Sequence, residues 1–366
     1  MTTVSLTTAA CPSWVAPSPS EPGSLDALGY QLRADRIAET LLPGVTVQTH
    51  RARYLSFLCW AIDRTGGNEI EIDRWEIALA VGEHLRHSGT DHQCSFLGKN
   101  KLMARMPARG DALPRRLHVQ TARMLYGGLL RSCGLVGDDG CLTAHGQCLA
   151  KRFAGTGMPQ TTPAKIWTCE RMPCLSGASQ LEKKTLREAL LEGEEGTRRN
   201  ATLKAIGKTR LRGQHTSMVL ADFLDSRAFS NSAAELVREA AVLELTALPC
   251  TKLFICLYQS GGKLAGEIPN HTMLQPYRVR DAIPDLLADV GAHLRRAAKL
   301  GGEKLPLGLN RLKQFLLERH RREKPDAPWV SENWTRLREG LAPGRINVHS
   351  YRLMAFRSLL RDVEVL

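Results

Sequence analysis

A chain of 366 residues with 43% apolar and 24% charged side chains is long enough for two or three domains with a sizeable core, which excludes a wholly disordered chain. Fifty Lys and Arg against 37 Asp and Glu give a formal charge of +13, so an acidic partner such as nucleic acid is favoured. Aromatic residues make up only 5%, which argues against single-strand stacking platforms, and no run of about eighteen uninterrupted apolar residues marks a membrane-spanning helix. The first 23 residues, rich in Pro, Ser and Thr, lack the basic start and apolar core of a signal peptide and are expected to be a disordered tail on a soluble, cytoplasmic protein with no membrane partner.

Residues 24–154 read as a helical domain. Leu25, Leu28, Leu32, Ile37 and Leu41 follow a helical rhythm that Pro43-Gly44 ends. Thr49 to Arg64 places Tyr54, Leu55, Leu58, Ala61 and Ile62 on one face with Phe57 and Trp60 close by, which predicts a largely buried helix. Glu71 to Leu85, with Ile72, Trp75 and Leu79, predicts a partner helix packed on it. From Val119 to Phe153 the pattern is helix, short hairpin, helix. Val119, Ala122, Leu125, Leu129 and Cys133 recur at spacings of three and four, and Gly134 stands where a helix end needs positive φ. Leu135-Val136 and Cys141-Leu142 flank the turn Gly137 to Gly140, and Thr143 can cap a last helix.

Residues 155–180, with Gly, Pro and Thr and no period, read as a linker, and 181–366 as a mostly helical, basic C-terminal region. Leu181 to Leu191 predicts a short helix, interrupted by Gly193 to Asn200; a further helix is plausible from Ser217 to Leu224. Ser232 and Glu235 form a capping-box pattern before Leu236, Ala240, Leu243 and Leu245. Thr251 to Tyr258 is the most strand-like run, although its length does not separate it from a buried helix. A helical tract through Val279 to Leu294 follows, then a helix over Leu309 to Arg322 with Leu312, Leu316 and Leu317 inside and Arg311, Lys313, Arg319 and Arg322 outside. A closing helix from Val348 to Arg361 runs into Val363 to Leu366, which can add a short terminal strand. The fold class expected is therefore mainly α, multi-helical, with a winged-helix-like module and few short strands.

Two resemblances bear on function. The Leu-Thr-x-x-Gly run of Leu142 to Gly146, behind Cys133-Gly134-Leu135-Val136 and a turn, resembles winged-helix modules of prokaryotic regulators, which implies a DNA-binding or protein-docking element. Pro43, Gly44, Arg51, Arg53, Tyr54 and Trp60, in a Leu-Pro-Gly turn followed by Arg-x-Arg-Tyr and a Trp, resemble the opening of poorly characterised prokaryotic proteins associated with mobile elements and anti-phage defence loci. Tyr126, Gly134-Leu135 and Leu142 to Gly146 match the same proteins more loosely, with Cys-Gly-Leu here in place of Leu-Gly-Leu. That resemblance implies a genomic setting and brings no active site.

The basic residues are clustered. Between Lys99 and Arg131 there are eight, against the single acid Asp111; between Arg198 and Arg212 there are six and no acid; a third cluster runs from Arg295 to Lys324. The residues expected to contact nucleic acid are Arg115, Arg116, Gln120, Arg123 and Arg131 around the winged-helix-like element, and Arg198, Arg199, Lys204, Lys208, Arg210 and Arg212 as a second track. Arginines in this density suit phosphates better than base edges.

Chemistry is harder to find. Ten cysteines form no framework and no Cys-x2-Cys pair, so they read as reduced, and Cys133, Cys141 and Cys148 fall on apolar positions; no metal site is expected. Glu182-x-Lys184 is the one triplet near a candidate core that a restriction-type nuclease could use, in a helical, highly charged context. His84, His87 and His92 with Asp91 read as a polar helix end entering a loop. Neither a phosphate-binding Gly-x4-Gly-Lys-Ser/Thr loop nor a nucleophile elbow is present, and no cofactor is expected. The expected function is a non-catalytic nucleic-acid-binding subunit of a prokaryotic defence or mobile-element complex, with other protein subunits as further partners. A metal-dependent nuclease with an unrecognised core and a protein-docking adaptor without nucleic-acid contact are the alternatives.

Overall fold

The computed structural model describes residues 27–87, 97, 121–155, 175, 177–213, 232–259, 279–299, 308–325, 330 and 350–366. The N-terminal tail, Arg115, Arg116, Gln120, most of the 155–180 stretch, and the helix expected from Ser217 to Leu224 lie outside them. What is described is mainly helical, with no strand among those residues. The helices are α1 (Gln31–Leu41), α2 (Arg53–Thr65), α3 (Glu69–His87), α4 (Ala122–Ser132), α5 (Ala144–Ala154), α6 (Gln180–Leu191), α7 (Gly193–Ile206), α8 (Lys208–Gly213), α9 (Ser232–Gln259), α10 (Val279–Lys299), α11 (Leu309–Glu323) and α12 (Ser350–Asp362).

The chain divides into two compact units. One comprises Leu32–Leu245, Leu300–Gly302 and Asn347–Leu366; the other comprises Met1–Gln31, Thr246–Lys299 and Glu303–Ile346. The boundary falls within α9.

The larger unit is built around α2, which packs along α5 and also meets α3, α4 and α6. Every residue from Arg53 to Ala61 is buried, as expected of a helix apolar on nearly all sides. Its rings interlock: Trp60 stacks edge-on against Trp75 of α3 at 4.9 Å, Tyr54 lies 5.0 Å from Tyr126 of α4, and Phe57 and Trp60 both meet Phe153 of α5. Each such fully buried side chain contributes roughly 1.5–3 kcal/mol of transfer free energy.

Two glycines are fixed by geometry. Gly44 has φ +72°, and a Cβ there would stand 2.8 Å from the Gly128 carbonyl oxygen, so the Leu-Pro-Gly turn fits against α4 only without a side chain. Gly134 (φ +61°) ends α4: Leu135 N–H donates to the Leu130 carbonyl and Gly134 N–H to Arg131, the paired bonds of a Schellman stop. The hairpin expected next is reduced to one antiparallel bridge between Val136 and Leu142, with Gly137 N–H donating to the Cys141 carbonyl at 2.9 Å. The Leu-Thr-x-x-Gly run then acquires a physical reading. Thr143 Oγ1 accepts from the Gly146 N–H at 3.1 Å to start α5, and a Cβ at Gly146 would collide with the Leu135 carbonyl.

Three further expectations are corrected. Gly193 to Asn200 is not an interruption: the chain breaks helix only at Glu192 and re-enters it as α7. Thr251 to Tyr258 is not a strand; it continues α9 through Pro249, with Thr251 Oγ1 donating to the Ala247 carbonyl. Six apolar residues in a run of eight, flanked by more helix-compatible sequence, are a helix segment, and β-branching at Thr251 and Ile255 does not overrule that. Val363 to Leu366 forms no strand. It wraps the end of α12, with Glu364 at φ +58° and Val365 N–H donating to the Leu360 carbonyl, another Schellman stop made here without glycine.

In the smaller unit, α11 buries Leu312, Leu316 and Leu317, and also His320, whose ring lies 4.8 Å from Phe254 with Nδ1 2.8 Å from the Ala27 carbonyl oxygen. Burial pushes the His320 pKa down. Arg319, expected outside, instead lies over Tyr30 at 4.1 Å and donates to the Leu28 carbonyl. By length and composition the Ala234–Tyr258 stretch of α9 could cross a bilayer; 71% of that window is buried within the protein, as in a core helix.

Candidate nucleic-acid interface

The expected interface residues separate by burial. Arg131 is exposed at the end of α4, and Arg123 is bound to Glu69 of α3 at 2.7 Å. On α7 and α8, Arg198 is exposed but held by Glu194 and Glu195 of its own helix, at 3.0 and 3.5 Å. Lys204, Lys208 and Arg212 are exposed. The side chain of Arg210 lies outside the described residues.

Arg199 is the exception, and it is a correction. Its side chain is fully buried, so it takes no part in a surface. Nε donates to the Leu190 carbonyl at 2.7 Å, Nη1 to the Pro43 carbonyl at 2.7 Å and to Ser132 Oγ at 2.9 Å, and Nη2 to the Ser132 and Ala189 carbonyls and to Cys133 Sγ. All five N–H groups are used and no carboxylate lies within ion-pair distance among the described residues. The charge is balanced by carbonyls: Ala189 and Leu190 close α6, Ser132 closes α4, and Pro43 follows α1. The negative ends of helix dipoles thus converge on one guanidinium, with Thr202 one turn later on α7 binding the Leu41 carbonyl at 2.8 Å.

The residues carrying the Arg-x-Arg-Tyr resemblance are likewise structural. Arg53 makes a two-pronged pair with Glu182, Nε to Oε1 at 3.0 Å and Nη2 to Oε2 at 3.1 Å, with both side chains at most 5% exposed and the guanidinium over the Phe153 ring. Glu182 therefore cannot serve Glu182-x-Lys184 as a metal carboxylate; Lys184 points to Glu188 on an exposed surface. Arg51 pairs with Asp362 at 3.1 Å, and the same carboxylate accepts from the Ala52 N–H at 2.9 Å, capping α2, whose own N-cap residue, Ala52, has no side-chain acceptor. Burial raises the Asp362 pKa against the opposing pull of Arg51. Tyr54 Oη accepts from the Leu97 N–H and Tyr126 Oη from the Arg51 N–H, both at 3.0 Å. At the start of α4, Glu76 accepts the Ala122 N–H at 2.7 Å.

Sequence reasoning missed two arginines. Arg357 and Arg361, one turn apart on α12, both donate through Nη2 to the backbone carbonyl of Arg212, at 2.8 and 3.2 Å. The only prior signal was the i,i+4 spacing of two bases in a terminal helix, which is common on any solvated face.

Among the described residues no three His, Cys, Asp or Glu side chains gather to hold a metal ion, and the side chains of the His84–His92 group lie outside them. The fold and its surface define a mainly helical protein with buried arginine hubs and an exposed basic track. Compared with known protein families, curated proteins and solved structures, the chain matches none of them.

Proposed function

We propose that the chain is a non-catalytic nucleic-acid-binding subunit, gripping phosphates through exposed Lys and Arg while partner proteins supply any chemistry. The observation that carries this reading is the track from Arg198 to Arg212: the sequence there holds no acid, and Lys204, Lys208 and Arg212 are exposed. The formal charge of +13 supplies long-range attraction for the same class of partner. Arg131 extends the surface, and Arg115, Arg116 and Gln120 remain part of the proposal on sequence grounds; Arg199 is withdrawn from it. The Val136–Leu142 bridge between α4 and α5 is read as a minimal wing-like element. The resemblance of the Leu-Pro-Gly to Trp60 segment sets this activity in a prokaryotic defence or mobile-element complex, in the cytoplasm.

The test is fluorescence anisotropy with short duplex DNA, single-stranded DNA and an RNA hairpin across a salt series, with and without magnesium. Binding that falls linearly in log affinity against log salt, with no cleavage, is the expected result. Reversing the charge of Lys204 and Lys208 together is expected to weaken binding about tenfold and to lower the salt slope by about two. Cleavage only with magnesium would replace the reading by a nuclease. Absence of binding at low salt would replace it by a protein-docking adaptor.

A further inference from the structure

The exposed bases of the track lie on both sides of a break in the helix. Lys204 belongs to α7, whereas Lys208 and Arg212 belong to α8, and Gly207 between them leaves helical geometry at φ +84° and ψ 135°. A Cβ at Gly207 would meet nothing within 4 Å, so glycine stands there for its backbone conformation and not for lack of room. Residues four apart stay in one row only along a continuous helix. Across this break, the place of Lys208 and Arg212 relative to Lys204 depends on what fixes α8.

With six residues, Lys208–Gly213, α8 is too short to be stable by its own hydrogen bonds. Among its described side chains only Leu211 is buried, and one apolar anchor leaves a short helix free to swivel. The second restraint comes from α12. Arg357 and Arg361 both donate through Nη2 to the Arg212 carbonyl, at 2.8 and 3.2 Å. That carbonyl lies in the last turn of α8, where the negative end of the helix dipole favours a guanidinium. The base from which they reach is firm: Leu353, Ala355, Phe356, Leu359 and Leu360 of α12 are buried, and Asp362 is tied to Arg51 and the Ala52 N–H.

We infer that Arg357 and Arg361 are positioning residues for the track: they hold the end of α8 so that Lys208 and Arg212 meet the same phosphodiester backbone as Lys204. The inference rests on the nucleic-acid reading for what the track binds. It requires no contact between either arginine and the ligand.

The experiment uses the full chain, the double variant Arg357→Met with Arg361→Met, the pair Lys208→Gln with Arg212→Gln, the combination of all four, and Arg361→Lys. Arg212→Gln keeps the backbone carbonyl. Two properties are measured: duplex DNA binding by anisotropy over a potassium chloride series, and hydrogen exchange of the Leu211 amide, which bonds to the Gly207 carbonyl at 3.1 Å. In the double Met variant the Leu211 amide is expected to exchange at least about tenfold faster while amides of α2 keep their protection. Duplex binding should weaken several-fold with a salt slope lower by about two, as Lys208 and Arg212 lose their register with the ligand. Arg361→Lys retains a donor and should stay close to wild type in both. The decisive comparison is the fourfold variant: once Lys208 and Arg212 are neutral, the two Met changes should cause no further loss of affinity or slope. A further fall there would mean that the arginines touch phosphate themselves and would overturn the positioning role. Faster exchange in α2 as well as at Leu211 would overturn it in favour of a general structural role. Wild-type binding together with unchanged Leu211 exchange in the double Met variant would overturn it and leave the nucleic-acid reading intact, whereas a wild type that binds no nucleic acid removes both.

Discussion

Arg53 and Arg199 are both buried in the larger unit, and they are neutralised in opposite ways. Around Arg53 the balance is a full charge, since Glu182 faces it with two oxygens at 3.0 and 3.1 Å. Around Arg199 no carboxylate lies within ion-pair distance among the described residues, and carbonyls from the ends of α4 and α6 and from Pro43 after α1 share the positive charge. The first arrangement sets one carboxylate against one guanidinium; the second is a junction at which the ends of several helices meet. Helix ends in this unit are repeatedly closed by charged side chains distant in sequence, as Asp362 does for α2 and Glu76 for α4.

The contrast is open to direct attack. Arg199→Met should have the largest effect, because it strands several buried carbonyls together; a loss of at least about 3 kcal/mol in urea unfolding is expected, and no single second substitution should restore it. Arg53→Met strands the buried Glu182 carboxylate and should cost about 3–5 kcal/mol, but the double variant Arg53→Met with Glu182→Met should recover most of that loss. Failure of the double variant to recover would mean that Arg53 too is a junction.

A third buried ionisable group, the acid Glu244, has neither solution and is kept neutral instead. Glu244 of α9 is 6% exposed with no hydrogen-bond partner at Oε2, and burial raises its pKa from 4.5 to about 8. The folded state therefore holds a proton that the unfolded state has released. Its stabilising effect is complete below about pH 4.5 and is lost as pH rises through about 8, at up to about 1.4 kcal/mol per pH unit in between. Glu244→Gln should flatten this part of the stability–pH curve, measured by denaturant unfolding at several pH values. An unchanged slope would place the titration elsewhere.

The sequence pattern showed the helical class, the buried face of α2 and the turn at Gly134, because period and capping are local properties written in adjacent residues. At Thr251 to Tyr258 the sequence left strand and buried helix open, because a run of eight residues is too short to show its period; the buried set Leu253, Phe254, Leu257 and Tyr258, with Lys252 exposed, is helical. The candidate interface was legible as charge, not as geometry. Arg198 and Arg199 are neighbours of the same type, yet one lies on the surface against Glu194 and the other is sealed among helix ends. Only the packing of α1, α4 and α6 distinguishes them. The same holds for Arg357 and Arg361, whose relation to Arg212 spans more than 140 residues.

The bond from the Ala52 N–H to Asp362 crosses 310 residues of chain. During synthesis, α2 leaves the ribosome long before the carboxylate that closes its first turn exists. The central helix of the larger unit is therefore made without its cap, and the closing of its first turn awaits the arrival of α12. Loop closure over such a span is slow compared with local helix formation. Completing this helix end is thus a non-local step, although the helical pattern at its centre is local.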